Sequence, residues 1–551
     1  MAGSGSPASD FAAALLAEFV RLGVRDVVLS PGSRSQALAL AAADLEAAGS
    51  IRLRVRIDER VAGFVALGLA VESRTPVLIV TTSGTAVANL HPAVLEAHHS
   101  GVPLIVISSD RPESMRGIGS NQTTVQPGIF GFATPLTMDV DAPAASDEPG
   151  RAEAIARAAM AGAHGPVHLN LAFTEPLSGV ASSAVDPIDT TPASSVASTA
   201  STTRITPGPR TVVVAGHGAG PRAEELARAL DAPLFAEVSS GAHFGPNLVV
   251  AYRELMAEPG FGDAVERVVV IGHPTLSREV PALVQRRGVE AIVVRSPGIE
   301  AYNPGHAAAA IVEGLEVDGA PADRAWVGRW VTTSRSLLET HDAPDIAIAI
   351  SDAPRDQAAF GRAVLAGLRA PVSRRTLVEA VWRMTWPHDR LVLGASRLIR
   401  EADRVVPGKK ISVHANRGLA GIDGTIATAI GVALASQSDA QNHGITRVLL
   451  GDLAALHDAG ALLFGTGEPR PRVQVIVGND GGGTIFDGLE VAASAQPERF
   501  DRVLLTTQQV SLEALATAYG WEYRHVANRG ELDEALTPST DPVLIEVPLP
   551  R

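Results

Sequence analysis

The stretch that decides the fold runs from Leu450-Gly451-Asp452-Leu453 to Val477-Gly478-Asn479-Asp480-Gly481-Gly482-Gly483-Thr484-Ile485-Phe486. Each half is a short aliphatic run, Arg447-Val448-Leu449-Leu450 and Val473-Gln474-Val475-Ile476-Val477, that stops at a glycine and a polar turn. Near-continuous β-branched runs of this length are the pattern of strands buried on both faces of a parallel sheet. Ligands of open parallel sheets collect at the carboxyl ends of the strands. The stretch therefore presents a carboxylate, Asp452, and a carboxamide, Asn479, at one rim. Hard divalent cations take such oxygen ligands, and Mg2+ shares them with phosphates. A magnesium-diphosphate site is one reading of the stretch. Two strand-to-helix turns capped by Asp and Asn are the other, and the stretch alone does not separate them.

The rest of the chain repeats the βα plan. It has 551 residues, enough for three ordinary domains, and is rich in Ala, Val, Leu and Gly with only 4% aromatic residues. The net charge of −14 argues against general nucleic-acid or anionic-membrane binding, so an acidic substrate must be gathered by local arginines. The absence of cysteine excludes disulfides, thiolate metal sites and a cysteine nucleophile. The early apolar segment Phe11 to Val20 carries Glu18 and is too short to span a bilayer, and Met1 to Ser9 lacks a signal pattern. A cytoplasmic protein without stable membrane insertion is expected.

Residues 8–178 read as one doubly wound domain. Asp10 is expected to cap its first helix. The strand Asp26 to Leu29 ends in Ser30-Pro31-Gly32-Ser33-Arg34-Ser35, an anion-binding turn in the functional reading and a bland one otherwise. The alternating strand Ile51 to Ile57 leads to Asp58-Glu59-Arg60, and Pro76 to Thr81 leads to Ser83-Gly84-Thr85. Gly84 permits close backbone approach. Pro103 to Ser108 leads to Ser109-Asp110-Arg111-Pro112, followed by the polar loop Gly119 to Thr123. Residues 179–206 are mostly Ser, Ala, Thr and Pro and read as a flexible linker. Residues 207–345 form a central α/β domain whose Gly216-His217-Gly218-Ala219-Gly220 is an incomplete dinucleotide-type turn and better read as a tight βα turn. Its Arg278 lies in the turn after Gly272-His273-Pro274-Thr275. Residues 374–551 form the third domain, with Ser396 and Arg400 after one strand, Arg417 after another, and the small-residue helix Thr425 to Ala435. The fold class is α/β, three doubly wound parallel-sheet domains.

The putting-together of a metal-diphosphate rim, a lone Glu59 and arginines at several strand ends resembles the thiamine-diphosphate decarboxylase superfamily, with its pyrimidine-binding, central and diphosphate-binding domains in that order. Gly451-Asp452-Leu453 replaces the usual Gly-Asp-Gly opening, and Asp480 stands where a second Asn is common. Pro31 to Ser35, Asp58-Glu59-Arg60, Thr82 to Asn89, Asp110-Arg111-Pro112, Asn121-Gln122, Asn416-Arg417-Gly418 and Gly421 to Gly424 together resemble one member family, the 2-succinyl-5-enolpyruvyl-6-hydroxy-3-cyclohexene-1-carboxylate synthases (MenD). The match covers the first and third domains and is weak in the central one.

The resemblance implies thiamine diphosphate with Mg2+, or Mn2+ in its place. It implies Glu59 as the catalytic glutamate on the cofactor's pyrimidine nitrogen, and Asp452, Asn479 and the Gly481 carbonyl as metal ligands. It implies decarboxylation of 2-oxoglutarate and addition of the resulting carbanion to isochorismate, in menaquinone biosynthesis. By the same resemblance Ser33, Arg34, Arg111, Asn121, Gln122, Ser396, Arg400 and Arg417 bind the acidic substrates, with Arg278 as a weaker candidate and Ile485 and Phe486 as apolar walls. Guanidinium forks suit carboxylates. A homodimer, or a dimer of dimers, is implied, with the pyrimidine domain of one subunit facing the diphosphate domain of another. The rivals are an acetohydroxyacid-synthase-type carboligase, which the arginine set disfavours, and a catalytically silent binding module, which Glu59 and Asp452 disfavour.

Overall fold

The computed structural model describes residues 6–144, 149–179, 187–188, 202–296, 298, 300–319, 324–341, 354–439 and 444–551. Its strands pair only in parallel. The first sheet holds β1 (Asp26–Leu29), β2 (Arg52–Val55), β3 (Val77–Thr81), β4 (Leu104–Asp110), β5 (Leu136–Val140) and β6 (Val167–Ala172), in the order β2-β1-β3-β4-β6-β5. The segment expected as linker ends in β7 (Thr202–Ile205). The central sheet holds β8 (Thr211–Ala215), β9 (Leu234–Ala236), β10 (Arg267–Ile271), β11 (Glu290–Val294) and β12 (Ala310–Val312), in the order β12-β11-β10-β8-β9. β13 (Gly314–Val317) pairs with β7 as a separate ribbon. The third sheet holds β14 (Arg390–Leu393), β15 (Ser412–His414), β16 (Thr446–Gly451), β17 (Val473–Asn479), β18 (Glu522–His525) and β19 (Val543–Pro548), in the order β15-β14-β16-β17-β19-β18. The α/β class expected from the sequence is the fold observed.

Contacts divide the chain into two compact units, residues 1–197 with 423–443 and 458–471, and residues 198–422 with 444–457 and 472–551. In the first unit, alternate residues of the strands face opposite ways. Val27, Leu29, Leu78, Val80, Ile105 and Ile107 pack under the helices Pro7–Arg21, Gln36–Ala47 and Pro149–Gly162. The first helix starts earlier than expected. Ser6, not Asp10, is its cap, accepting from the Ser9 N–H at 3.1 Å, because Pro7 already suits the first helical turn. Asp10 sits within that turn, where its charge favours the helix dipole. Ile188, inside the expected linker, packs on this core and donates its N–H to Ser50 at 3.2 Å.

The small-residue helix Thr425–Ser436 packs in the same unit against the helix Glu59–Ser73. Glycine makes this approach possible. A Cβ on Gly68 would lie 1.9 Å from the Thr428 carbonyl oxygen, and one on Gly431 would lie 2.1 Å from that of Val65. Gly424, the residue before the helix, has φ +64 and brings no side-chain cap. Asp458 supplies it from elsewhere: its buried carboxylate accepts from the Ala427 N–H at 2.9 Å and from Ile426. Burial pushes the Asp458 carboxyl up to about 7, against the pull of these N–H groups and of Arg60.

The second unit carries the central and third sheets, each covered by helices. In the helix Arg324–His341, Trp326 and Trp330 are buried and Leu337 is partly so, as the apolar spacing predicts. The helix Arg374–Met384 is capped by Ser373, and Leu512–Ala518 by Ser511. The helix Pro354–Arg369 occupies the interval left between the expected second and third domains.

Two outcomes test this packing. Gly431→Ala must push two backbones apart and is expected to cost about 3 kcal/mol in urea unfolding; a loss under about 0.5 kcal/mol would refute the backbone contact. For Asp458 the folded-state pKa lies above the unfolded value, so the folded protein binds the extra proton. Its stability contribution is full below pH about 4 and is lost as pH rises through about 7. Asp458→Asn keeps an accepting oxygen and should flatten that decline in unfolding experiments between pH 4 and 8; an unchanged slope would contradict it.

Candidate functional site

The register of the third sheet builds the rim. β16 and β17 pair from Thr446↔Val473 to Gly451↔Gly478, so Asp452 and Asn479 follow paired residues on adjacent parallel strands. Asp452 opens the helix Asp452–His457 and is 7% exposed. Its carboxylate accepts from Leu453 N–H at 2.9 Å and from Gly482 N–H. Burial, with Asp480 adding, pushes its carboxyl up to about 6 despite those donors. An ionised carboxylate in that position is favoured by a bound cation.

Asn479 donates its amide N–H to Glu546 on β19 at 2.7 Å, and its amide oxygen accepts from Gly481 N–H at 3.3 Å. A carboxylate only accepts, so Glu546 fixes which way the amide oxygen faces. Glu546 also accepts from Tyr523 at 2.6 Å. Asp480 turns to Arg374, at 2.7 Å, and to Thr484, at 2.5 Å. Gly481 has φ +81, and its carbonyl accepts from Thr507 at 3.0 Å. Gly482, at φ +130, lets the Leu505 carbonyl come within 2.2 Å of where a Cβ would stand. Among the described residues no three His, Cys, Asp or Glu side chains converge as a metal cage. A carboxylate, a carboxamide and a carbonyl at one strand end do fit Mg2+ that keeps phosphate and water ligands.

Other expected residues of the second unit lie at strand ends too. Ser396 caps the helix Arg397–Val405 by accepting from Leu398 N–H at 3.1 Å, and its carbonyl accepts from Arg400 at 3.0 Å. Arg417, 3% exposed, is anchored on Thr275. Ile485 and Phe486 are half-buried in the single turn Thr484–Gly488. Arg278 is exposed beside the helix Glu279–Val284 and is not drawn to Arg417, although Thr275 of the same turn is. The glycine turn after β8 is packed tightly at its first glycine. A Cβ on Gly216 would stand 2.1 Å from the Pro274 nitrogen, and His217 and His273 exchange backbone hydrogen bonds at 3.0 and 2.8 Å. Gly216 thus serves loop-on-loop packing, while Gly218 and Gly220 supply positive φ in open space.

The first unit gathers a second cluster. Arg111 is buried and donates one guanidinium nitrogen, Nη1, to Ser83 Oγ and to the Gln122 carbonyl, both at 2.7 Å. Gln122 has φ +56, and its amide donates to the Ser83 carbonyl at 3.0 Å. Gly84, at φ +81, allows Gln122 to approach so closely. Arg34 donates to the Phe173 carbonyl at 3.2 Å, and burial, then repulsion from Arg111, lowers its pKa. Ser33, after β1, and Asn121, in the loop beyond β4, are exposed. Glu59 opens the helix Glu59–Ser73 and is half-buried; the neighbouring Asp58 is the cap, accepting from Arg60 N–H at 2.9 Å.

Sequence reading missed the supports behind this cluster. Gln126, fully buried, accepts from Gly84 N–H at 2.8 Å and donates to Asn170 at 2.8 Å. Asn170 donates to Asp110 and Asp139, which both pair with Arg116. These residues lie far apart in sequence and carry no motif of their own.

Residues 9–130 match the family model of the N-terminal thiamine pyrophosphate-binding domain of thiamine pyrophosphate enzymes. The chain is 59% identical over its full length to a 2-succinyl-5-enolpyruvyl-6-hydroxy-3-cyclohexene-1-carboxylate synthase of Leifsonia xyli subsp. xyli, covering 97% of that protein. It is 57% identical, with the same coverage, to the protein of that name from Clavibacter michiganensis subsp. michiganensis. The one from Rhodococcus opacus is 39% identical over 97% of this chain and 94% of that protein.

Asp452→Asn keeps an oxygen for the Leu453 N–H but removes the charge. It is expected to weaken Mg2+-dependent thiamine diphosphate binding about tenfold or more in calorimetry, with no loss of melting temperature. Unchanged binding would remove Asp452 from the metal site.

Proposed function

The chain belongs to the 2-succinyl-5-enolpyruvyl-6-hydroxy-3-cyclohexene-1-carboxylate synthase family, and on that premise we propose that it decarboxylates 2-oxoglutarate and joins the remaining four-carbon unit to isochorismate, releasing CO2 in menaquinone biosynthesis. The observation that carries the site assignment is the β16–β17 register, which sets Asp452 and Asn479 side by side.

Asp452, Asn479 and the Gly481 carbonyl would hold Mg2+, or Mn2+, with the cofactor's diphosphate. Thiamine diphosphate, when bound, supplies the nucleophilic carbon and the electron sink for decarboxylation. Glu59 is assigned the proton at the cofactor's pyrimidine nitrogen. Its start-of-helix position, beside a separate cap at Asp58, leaves its carboxylate unneeded for folding the turn.

Both substrates are acidic. Arg34 and Arg111 hydrogen-bond to carbonyl and hydroxyl oxygens and make no ion pair among the described residues, though Glu175 and Asp110 act on Arg34 from farther off, and both are partly desolvated. A desolvated guanidinium pairs a carboxylate more strongly than a solvated one. Gln122, Asn121 and Ser33 would add hydrogen bonds there, and Ser396, Arg400 and Arg417 would bind carboxylates in the second unit, with Arg278 the least supported. Ile485 and Phe486 would wall the pocket and exclude water. Among the described residues no helix is long and apolar enough to cross a membrane. We propose a cytoplasmic homodimer, or a dimer of dimers, with residues 8–178, 207–345 and 374–551 as pyrimidine-binding, central and diphosphate-binding domains.

Purified protein with thiamine diphosphate, Mg2+ and 2-oxoglutarate is expected to release CO2 and, with isochorismate, to form the succinylated product; no product would sink the assignment. Glu59→Gln should retain cofactor binding while turnover falls about 100-fold or more. Near-normal turnover would show that Glu59 has another role.

A further inference from the structure

One carboxylate oxygen holds the turn after β17 from outside. Asp480 Oδ2 accepts from Arg374 Nη2 at 2.7 Å and Nε at 3.2 Å, and from Thr484 Oγ1 at 2.5 Å. We propose that Asp480 is a positioning residue, which fixes together the Gly481 carbonyl expected at the metal and the turn that carries Ile485 and Phe486. This rests on the reading of Gly481 as a metal ligand and of Ile485 and Phe486 as pocket walls.

The turn needs such a tie. Gly481 and Gly482 sit at φ +81 and +130, and glycine leaves the backbone more conformations than any other residue does. Asp480 stands between the two expected ligands Asn479 and Gly481, so anchoring its side chain restrains the peptide units on both sides. Farther along, Gly483 donates its N–H to the Leu505 carbonyl at 2.7 Å, and Thr507 Oγ1 donates to the Gly481 carbonyl at 3.0 Å. Thr484, 2% exposed, opens the turn Thr484–Gly488. The oxygen that restrains the glycines thus also fixes the start of the apolar wall.

The anchor is firm. Arg374 opens the helix Arg374–Met384, where Ser373 accepts from Thr376 N–H at 3.1 Å. Leu377 of this helix is inaccessible and lies 3.3 Å from where a Cβ on Gly478 would stand, so the helix rests on the end of β17 itself. A cation in the first helical turn opposes the helix dipole, and a carboxylate beside it offsets that cost. The side chains of Arg374 and Asp480 are 11% and 10% exposed, and a charge-assisted bond in such a place is stronger than one between neutral groups. The asparagine common at this position in the superfamily offers an oxygen without the charge. Asp480 suits the position here because a guanidinium faces it.

The test is calorimetry of thiamine diphosphate binding at saturating Mg2+, with the melting temperature of the cofactor-free protein as the control for folding. Asp480→Ala is expected to weaken cofactor binding about tenfold, and Asp480→Asn, which keeps an oxygen, about threefold. Arg374→Gln strands a buried carboxylate and should do more harm than Asp480→Asn. The double variant Arg374→Gln/Asp480→Asn sets an amide against an amide and should bind better than Arg374→Gln alone. Thr484→Val cuts only the tie to the wall. Its cofactor affinity should stay within about twofold, while KM for isochorismate, whose ring is the apolar body such a wall would meet, rises about fivefold. Asp480→Asn and Thr484→Val carry the test if the alanine variant melts early. Cofactor affinity within about twofold for Asp480→Ala, or losses that simply add in the double variant, would overturn the positioning role while Asp452→Asn still weakens binding. An unchanged isochorismate KM for Thr484→Val would overturn the wall's share in it. Unchanged binding by Asp452→Asn would overturn the metal-site reading and the role built on it.

Discussion

The parallel register of β16 on β17 is the constraint from which the third sheet's chemistry follows. Gly451 faces Gly478, and the next residue on each strand is Asp452 or Asn479. A one-residue slip would carry a carboxamide to the other face and leave Asp452 without its neighbour. The register is held by the core. Val448, Leu449, Leu450, Val475, Ile476 and Val477 are essentially inaccessible, and a Cβ on Gly478 would press on Leu549 and Leu398 at 2.8 and 2.9 Å. Burial that fixes the strands thereby fixes two polar groups that contribute nothing to the burial. Glu546, on the next strand, then orients the carboxamide.

The same logic operates twice. Renumbered from their first strands, the two six-stranded sheets have one order, 2-1-3-4-6-5. First strands lead to Ser33-Arg34 and to Ser396-Arg400. Second strands lead to Glu59 and to Arg417. Third strands lead to Ser83-Gly84 and to Asp452, and fourth strands to Arg111 and to Asn479. Polar function thus sits at corresponding strand ends of both sheets, which is where an open parallel sheet leaves backbone groups and side chains unfilled by its own packing.

This explains what was legible in the sequence. Buried strands announce themselves by composition, and the residue after such a strand is at the rim by necessity, so Asp452, Asn479 and Arg111 were within reach, whereas Glu59, after the half-exposed edge strand β2, stood out only through the surrounding family motifs. The edge strand β18, Glu522-Tyr523-Arg524-His525, is polar and partly exposed and gives no such signal. The strand β7 hides in a Ser/Thr run because it needs only backbone pairing with β13. Asp458 as the cap of Thr425–Ser436, and Gln126 behind Gly84, act across long stretches of chain, where no local spacing betrays them. Ser6 was missed for a nearer reason, since Pro7 moved the helix start ahead of the more conspicuous Asp10.

Arginine partners separate two populations that the sequence presents alike. Arg52, Arg56, Arg253, Arg374 and Arg447 are each paired with a carboxylate, at Asp26, Glu468, Asp403, Asp480 and Asp389. Their charge is answered within the protein, and their loss would leave an uncompensated acid behind. Among the described residues, Arg34, Arg111 and Arg400 have no ion pair, and their guanidinium nitrogens meet carbonyl or hydroxyl oxygens instead. In a chain of net charge −14, carboxylates are the commonest acceptors available. Holding arginines at strand ends by neutral oxygens keeps their charge for a ligand, at the cost of partial desolvation that an unpaired guanidinium must bear. That cost would be recovered on the arrival of an anion, as the proposed binding of acidic substrates at these positions requires.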